Sequence, residues 1–222
     1  MMSAASAVGH ATAIFGDIAS LRAQNQRLNA ENHDLKRRVA ELNAAALDNK
    51  ELRSALDFQR AFGHRTVVAE VVGRGPDAFS RTLQIDRGTN DAVRAGMIVV
   101  SGAGLVGRVR ESGLHGAIVQ TLADPQSRAN VYLSGSGLQG TVIGGPAELQ
   151  LQLEHRLGAA ASKGEWAITS GIGGGYPRGL VVGKVTSVTH SDASTVDAAL
   201  VDWVNAPATL SLVIVVIDFT PS

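Results

Sequence analysis

The sequence predicts a mainly β protein with an N-terminal α-helical coiled coil, its β part folded as two small six-stranded-type β-barrels. Three observations predict it. A heptad of leucines runs from Ile14 to Leu56, short β-branched runs separated by Gly, Pro, Asn and Asp replace it after Gly63, and a weak internal repeat divides those runs in two.

Composition sets the limits. The 222 residues are enough for one large or two small domains, and 45% hydrophobic with 18% charged residues is the composition of a chain that buries a core. Twenty Lys and Arg balance twenty Asp and Glu, so no overall field gathers a polyanion and nucleic acid is not an expected partner. The absence of cysteine excludes a disulfide frame, thiolate catalysis and Cys-ligated zinc, and suits either redox compartment. The longest apolar run, Leu210 to Phe219, is strand-length and far short of the roughly 18 to 20 residues that span a bilayer. Residues 1–13 lack the basic and apolar regions of a signal peptide and are expected to be a disordered or artificial start.

Residues 14–60 are expected to form a coiled-coil stalk. Ile14, Leu21, Leu28, Leu35, Leu42, Asn49 and Leu56 fall at one heptad position, taken as d, and Ile18, Asn25, Asn32, Val39, Ala46 and Arg53 then fall at a. An asparagine buried at a is satisfied only by its counterpart, so Asn25 and Asn32 select a parallel, in-register dimer. The charges agree, because Asp17 faces Arg22 and Glu31 faces Lys36 across a parallel seam. A helix folded back on its own domain needs a wider apolar face than two positions in seven. A DNA-binding zipper needs a basic segment before the heptads, and residues 1–13 contain no Lys or Arg. The dimerisation residues are therefore Ile18, Leu21, Asn25, Leu28, Asn32, Leu35, Val39 and Leu42. At 1.5 Å per residue the helix is roughly 60 Å long, a spacer as well as a clasp.

The strands follow in two sets. The first holds Thr66 to Val72, Thr82 to Ile85, Ile98 to Val100, Ala117 to Leu122 and Ala129 to Leu133. The second holds Leu149 to Leu153, Trp166 to Thr169, Val181 to Val188, Ala198 to Val201 and Leu210 to Asp218, the last apolar enough to be paired on both sides. Gly96 to Gly102 followed by Leu105-Val-Gly-Arg-Val109 parallels Gly164 to Gly171 followed by Val181-Val-Gly-Lys-Val185. Two related barrels are expected, at 64–147 and 148–222, with strands free to cross between them, since closure removes the edges that short strands leave exposed.

Several stretches in this order resemble the bacterial rod-shape protein family MreC. They are Glu51-Leu-Arg-Ser-Ala-Leu56, Ala69-Glu-Val-Val-Gly73, Thr82-Leu-Gln-Ile-Asp-Arg-Gly88-Thr-Asn90, Gly104-Leu-Val-Gly107-Arg-Val109, Leu122-Ala-Asp124-Pro125, Thr169-Ser170-Gly171 and Pro177-Arg-Gly179-Leu-Val-Val-Gly183-Lys-Val185. The resemblance covers about three quarters of the chain. It implies a non-enzymatic dimeric scaffold of the cell-elongation (rod) complex, with no cofactor, binding the elongation class-B penicillin-binding protein together with MreD and MreB. It also implies a place on the extracytoplasmic, periplasmic face of the inner membrane, held by an N-terminal transmembrane anchor that this sequence does not contain.

Signals of chemistry are weak beside that reading. Gly102-x-Gly104-x-x-Gly107 matches a dinucleotide pattern, but Arg108-Val-Arg110 reads as a strand where a phosphate-binding helix is needed. Gly171-x-Gly173-Gly174-Gly175 lacks the Lys-Ser/Thr ending of a P-loop and is expected to be a mobile or closely packed loop, and a partner-contact loop. A chymotrypsin-like hydrolase, one rival, would have to use His64 and Ser170, neither in a recognisable neighbourhood. The six histidines have no metal-ligand spacing, and Asp86, Asp91 and Asp124 sit in turn contexts, so no catalytic or metal residue is assigned. Phe79 and Tyr176, flanked by Pro, Ser and Gly, are expected to be exposed and are the candidate partner-binding residues, whereas Trp166 and Trp203 are expected in the core. A second rival, a periplasmic adaptor of a transport pump, would carry a helical hairpin inside a lipoyl-like domain; here the helix is single and N-terminal.

Overall fold

The computed structural model describes residues 4–75, 81–145, 148–154, 160–189, 196–205 and 210–219, without the side chains of 4–23, 51, 55, 57–62 and 196. One helix, α1, runs over Ala4–Phe62. It therefore takes in residues 4–13, expected as a disordered start; alanines at 4, 5, 7, 11 and 13 give that segment strong helix propensity without any heptad.

Twelve strands are described: β1 (Thr66–Arg74), β2 (Thr82–Ile85), β3 (Ile98–Val100), β4 (Leu105–Ser112), β5 (Ala117–Thr121), β6 (Arg128–Leu133), β7 (Gln139–Ile143), β8 (Leu149–Glu154), β9 (Trp166–Thr169), β10 (Val181–Thr189), β11 (Val196–Trp203) and β12 (Leu212–Val216). They close into two six-stranded antiparallel barrels, ordered β1-β12-β3-β4-β5-β2 and β10-β11-β8-β7-β6-β9. The two-barrel architecture is the expected one.

The division between the barrels differs from the expected 64–147 and 148–222. β6 and β7 belong to the second barrel, where β6 pairs with β9 and β7 with β8, while β12 returns to lie between β1 and β3 of the first. Alternation tells which residues of a strand point inward but not which strand is its neighbour, and pairing alone set this boundary. β7 was not expected at all, since its five residues lie between glycines and carry only Val142 as a fully buried side chain.

The internal repeat is a repeat of hydrogen bonds. Gly96 N donates to Val109 O and Val109 N to Met97 O in the first barrel, both at 2.8 Å. Gly164 N donates to Val185 O at 2.8 Å and Val185 N to Glu165 O at 2.9 Å in the second. The strand glycines also correspond. A Cβ on Gly107 would lie 2.0 Å from Gln120 O, and one on Gly183 would lie 2.3 Å from Asp202 O, so each is where a neighbouring strand's backbone approaches too closely for any side chain.

The first barrel encloses Leu83, Ile85, Val99, Val106, Val109, Val119, Val213 and Val215. Its outward residues Ile98, Val100, Leu105, Ile214 and Val216 join the core of the second barrel in one cluster with Leu149, Leu151, Leu153, Leu180, Val182 and Val201. β3 and β12 are thus buried on both faces, which is why they read as continuous apolar runs without alternation. Each fully buried side chain of this kind contributes about 1.5–3 kcal/mol, and the joint between the barrels is built as a core.

Candidate functional site: the helix stripe and the joint between barrels

On α1 the expected seam is bare. Leu28, Leu35, Val39 and Leu42 are exposed, Leu28 by 64% and Leu42 by 69%. Asn25 and Asn32 are exposed on the same stripe, and Asn25 Oδ1 accepts a hydrogen bond from Asn29 Nδ2 at 2.8 Å. The flanks carry ion pairs within the helix, Arg27 with Glu31, and Arg37 and Arg38 with Asp34. Such exposed pairs are worth a few tenths of a kcal/mol each. They make the flanks beside Leu28, Leu35 and Val39 polar, although Leu47 and Leu52, outside the a and d positions, are exposed as well. Ile18 and Leu21 lie in α1, in the segment whose side chains are outside those described.

Polar groups lock the joint between the barrels. Trp203 Nε1 and Asn205 Nδ2, from the end of the second barrel, both donate to Leu105 O of β4, at 2.9 and 3.0 Å. The buried Ser101 hydroxyl donates to Asn205 Oδ1 at 2.6 Å and accepts from Ala103 N at 3.0 Å. These bonds satisfy Asn205, which is fully buried and would otherwise cost about 1–3 kcal/mol per unmade bond. Gly104 in the same turn would place a Cβ 2.1 Å from Val181 O of β10. The glycine pattern at 102, 104 and 107 is therefore a set of close-packing positions, Gly102 against Ser54, Gly104 against the second barrel and Gly107 against β5.

A second contact is made by Arg108. Its Nη2 donates to Gly175 O at 2.8 Å and its guanidinium lies 5.0 Å from the centre of the Tyr176 ring. Tyr176, expected on the surface, is only 8% exposed. Burial pushes its phenol above the ordinary range, against the opposing pull of Arg108. The sequence context of glycines and proline described the loop correctly but missed that the ring folds under it onto β4.

The loop itself is closely packed. Ser170 N and Oγ donate to Asn130 O, Ile172 N donates to Ser170 Oγ, and Asn130 Nδ2 donates to Ile172 O at 3.1 Å. Ser170 is thus a turn residue. His64 Nδ1 is 3.0 Å from Asp218 Oδ1 and packs edge-on against Phe219, tying the start of β1 to the end of β12. Asp218 also accepts from Arg65 N, and that bond, opposed by burial and reinforced by His64, holds its carboxyl below the usual range. Asp91 and Asp124 accept local backbone bonds from Gly88 and Gln126, as turn-shaping residues do, whereas Asp86 accepts from Glu70 N on the neighbouring strand β1. Among the described residues no group of three or more His, Asp or Glu is placed to hold a metal.

Two further expectations fail or fall outside. Trp166 is 42% exposed, on the outer face of the second barrel with Lys184 Nζ 5.5 Å from its ring centre. Its outward position follows from strand register, which puts Ala167 inside instead. Trp203, also expected in the core, is partly buried at its edge. Phe79 lies outside the described residues. Sequence reasoning did not find Glu165, whose Oε2 accepts from Gly135 N, Ser136 N and Ser136 Oγ and whose Oε1 accepts from Ser162 N. Burial alone would raise its carboxyl, but these bonds outweigh it and hold the group below 4.5.

Comparison with known proteins accords with this architecture. The family described as "Rod shape-determining protein MreC, barrel core" matches residues 71–217. The cell shape-determining protein MreC of Listeria monocytogenes is 27% identical over 180 residues, which is 78% of this chain and 60% of that protein. This chain therefore spans about three fifths of the length of that curated relative. The crystal structure of MreC from Pseudomonas aeruginosa is 28% identical with a TM-score of 0.61, covering 68% of this chain and 99% of that one. The same fold recurs at 15% identity and a TM-score of 0.52 in a complex between penicillin-binding protein PBP2 and MreC from Helicobacter pylori, over 69% of this chain and 99% of the matched one. With the match running from β1 to the end of β12 and so taking in both barrels and their joint, the chain belongs to the rod shape-determining protein MreC family.

Proposed function

We propose that this chain is a non-enzymatic, dimeric scaffold of the cell-elongation complex, joined through α1 as a parallel coiled coil and binding an elongation penicillin-binding protein, with MreD and MreB as further partners. The bare stripe of Leu28, Leu35, Val39 and Leu42, registered by Asn25 and Asn32, carries the dimer. The barrel pair, locked by its own core and hydrogen bonds, supports a surface that holds its shape when a partner docks. The penicillin-binding protein partner is supported by family membership and by the Helicobacter pylori complex. Two copies in one particle would present each docking surface twice, raising the local concentration of bound enzymes without chemistry of the scaffold's own. The place of action is the extracytoplasmic face of the inner membrane.

Affinity capture between the purified chain and a purified class-B elongation penicillin-binding protein, followed by light scattering of the eluate, tests this. A complex with two copies of the 23.0 kDa chain is expected. Failure of capture at micromolar concentrations, or capture of a single copy, would overturn the partner or the dimer respectively.

A further inference from the structure

The outer face of β6 presents Arg128, Asn130 and Tyr132 in a row, at alternate positions of the strand. The 170–178 loop is pinned over that row by the Asn130 bonds, leaving a hollow of about 160 Å³ lined by Arg128, Asn130, Ile172, Gly173, Gly175 and Tyr176. No carboxylate among the described residues lines it. Among the described residues none of Arg108, Arg128 or Arg178 is in an ion pair, although Arg37, Arg38 and Arg87 all are.

Each of the three arginines is held from one side. Arg108 is committed to Gly175 O and Tyr176 beneath the loop and fixes its height. Arg128 is tethered by a 3.3 Å bond from Nη1 to Pro125 O, which leaves the rest of its fork. Arg178 lies with its guanidinium 5.4 Å from the centre of the Tyr132 ring, one side-chain row, or about 7 Å, along the strand from Asn130. A guanidinium stacked on a ring has its face occupied and its N–H edge directed away, so it meets an oxyanion without first losing rotamer freedom.

We propose that this hollow binds an oxyanion group, a phosphate or a carboxylate, gripped by Arg128 and seated against Asn130 and the glycine loop, with Arg178, one row further along β6 on the Tyr132 ring, adding positive charge at longer range. The volume admits one such group with its water but no bulky ring system. The inference stands independently of the scaffold reading.

Amide NMR of the full chain, titrated with inorganic phosphate and in parallel with acetate at constant ionic strength set by chloride, tests it. Saturable shifts confined to 128–132 and 171–178 are expected, weakened at least about tenfold in the double variant Arg128→Gln with Arg178→Gln. Both side chains are exposed, so amides of the barrel interiors should be unmoved in that variant. Arg128→Lys with Arg178→Lys, which keeps the charge but loses the fork and the stacking, should bind with intermediate strength. Tighter binding of phosphate than of acetate points to a phosphate-bearing ligand, and the reverse order to a carboxylate-bearing one. Shifts that rise linearly without saturation, or that persist undiminished in the Gln variant, overturn the site.

Discussion

Arg108 of the first barrel and Tyr176 of the second lie 5.0 Å apart, guanidinium to ring centre, with the same arginine bonded to the carbonyl that precedes the tyrosine. One side chain therefore holds both the ring and the backbone of a loop belonging to the other barrel. Replacing Arg108 by Ala should cost about 1–3 kcal/mol in urea denaturation, from the lost stacking and charged hydrogen bond together. Arg108→Lys should recover only part of it, because an ammonium cannot stack and fork at once. Hydrogen exchange in residues 172–176 should accelerate in both variants, which a loss of stability elsewhere in the barrel would not single out.

Gly104 is the position where the barrels touch through backbone. With Val181 O 2.1 Å from a notional Cβ, Gly104→Ala has to move one barrel against the other and should cost at least about 2 kcal/mol. Gly113→Ala, where the nearest atom is at 3.5 Å, should stay within about 0.5 kcal/mol of the parent. Gly104 also sits at φ +154°, where alanine is strained, so thermal unfolding of the two variants side by side reads packing and backbone strain together.

For the helix, the double substitution Asn25→Ile with Asn32→Ile is expected to raise the thermal stability of the assembly while broadening its mass distribution by light scattering towards higher oligomers. In the proposed dimer, removing the asparagine pair would add apolar contact but delete the feature that rejects other registers. A variant that remained a single dimeric species would place register control elsewhere in the heptads.

Glu165 links stability to acid. Its folded carboxyl titrates below 4.5, the ordinary value, so it adds stability that is fully present above that value and is lost as pH falls through the folded pKa. Glu165→Gln keeps one acceptor but turns an amide donor toward Ser162 N or the Ser136 group, at a cost of about 1–2 kcal/mol near pH 7. The gap between parent and variant in thermal melts should narrow progressively below pH 4.5.

The two tryptophans should report different surroundings. With Trp203 replaced by Phe, the remaining emission from Trp166 should be red-shifted and readily quenched by acrylamide, since that ring is 42% exposed. With Trp166 replaced by Phe, Trp203 should emit further to the blue and resist quenching. Trp203→Phe should also lose about 1 kcal/mol with its bond to Leu105 O.

What the sequence determined by itself was local. The heptad of α1, the apolar runs that became β3 and β12, the turn roles of Asp91 and Asp124, and the duplicated Gly-x-x strand pairs at 96–109 and 164–185 were all legible, because each is written in residues close together in the chain. The family resemblance rested on the same ordered pieces. Tertiary structure decided which strands are neighbours, and so moved β6 and β7 into the second barrel and β12 into the first. It also turned Trp166 outward, drew Tyr176 under its loop, and brought Arg128, Asn130 and the glycine loop around one hollow. Those outcomes depend on which separate segments pair, some of them far apart in the chain as Asn130 with Ile172 and Arg108 with Gly175 are, and such loop-closure entropy and packing leave no periodic trace in the sequence.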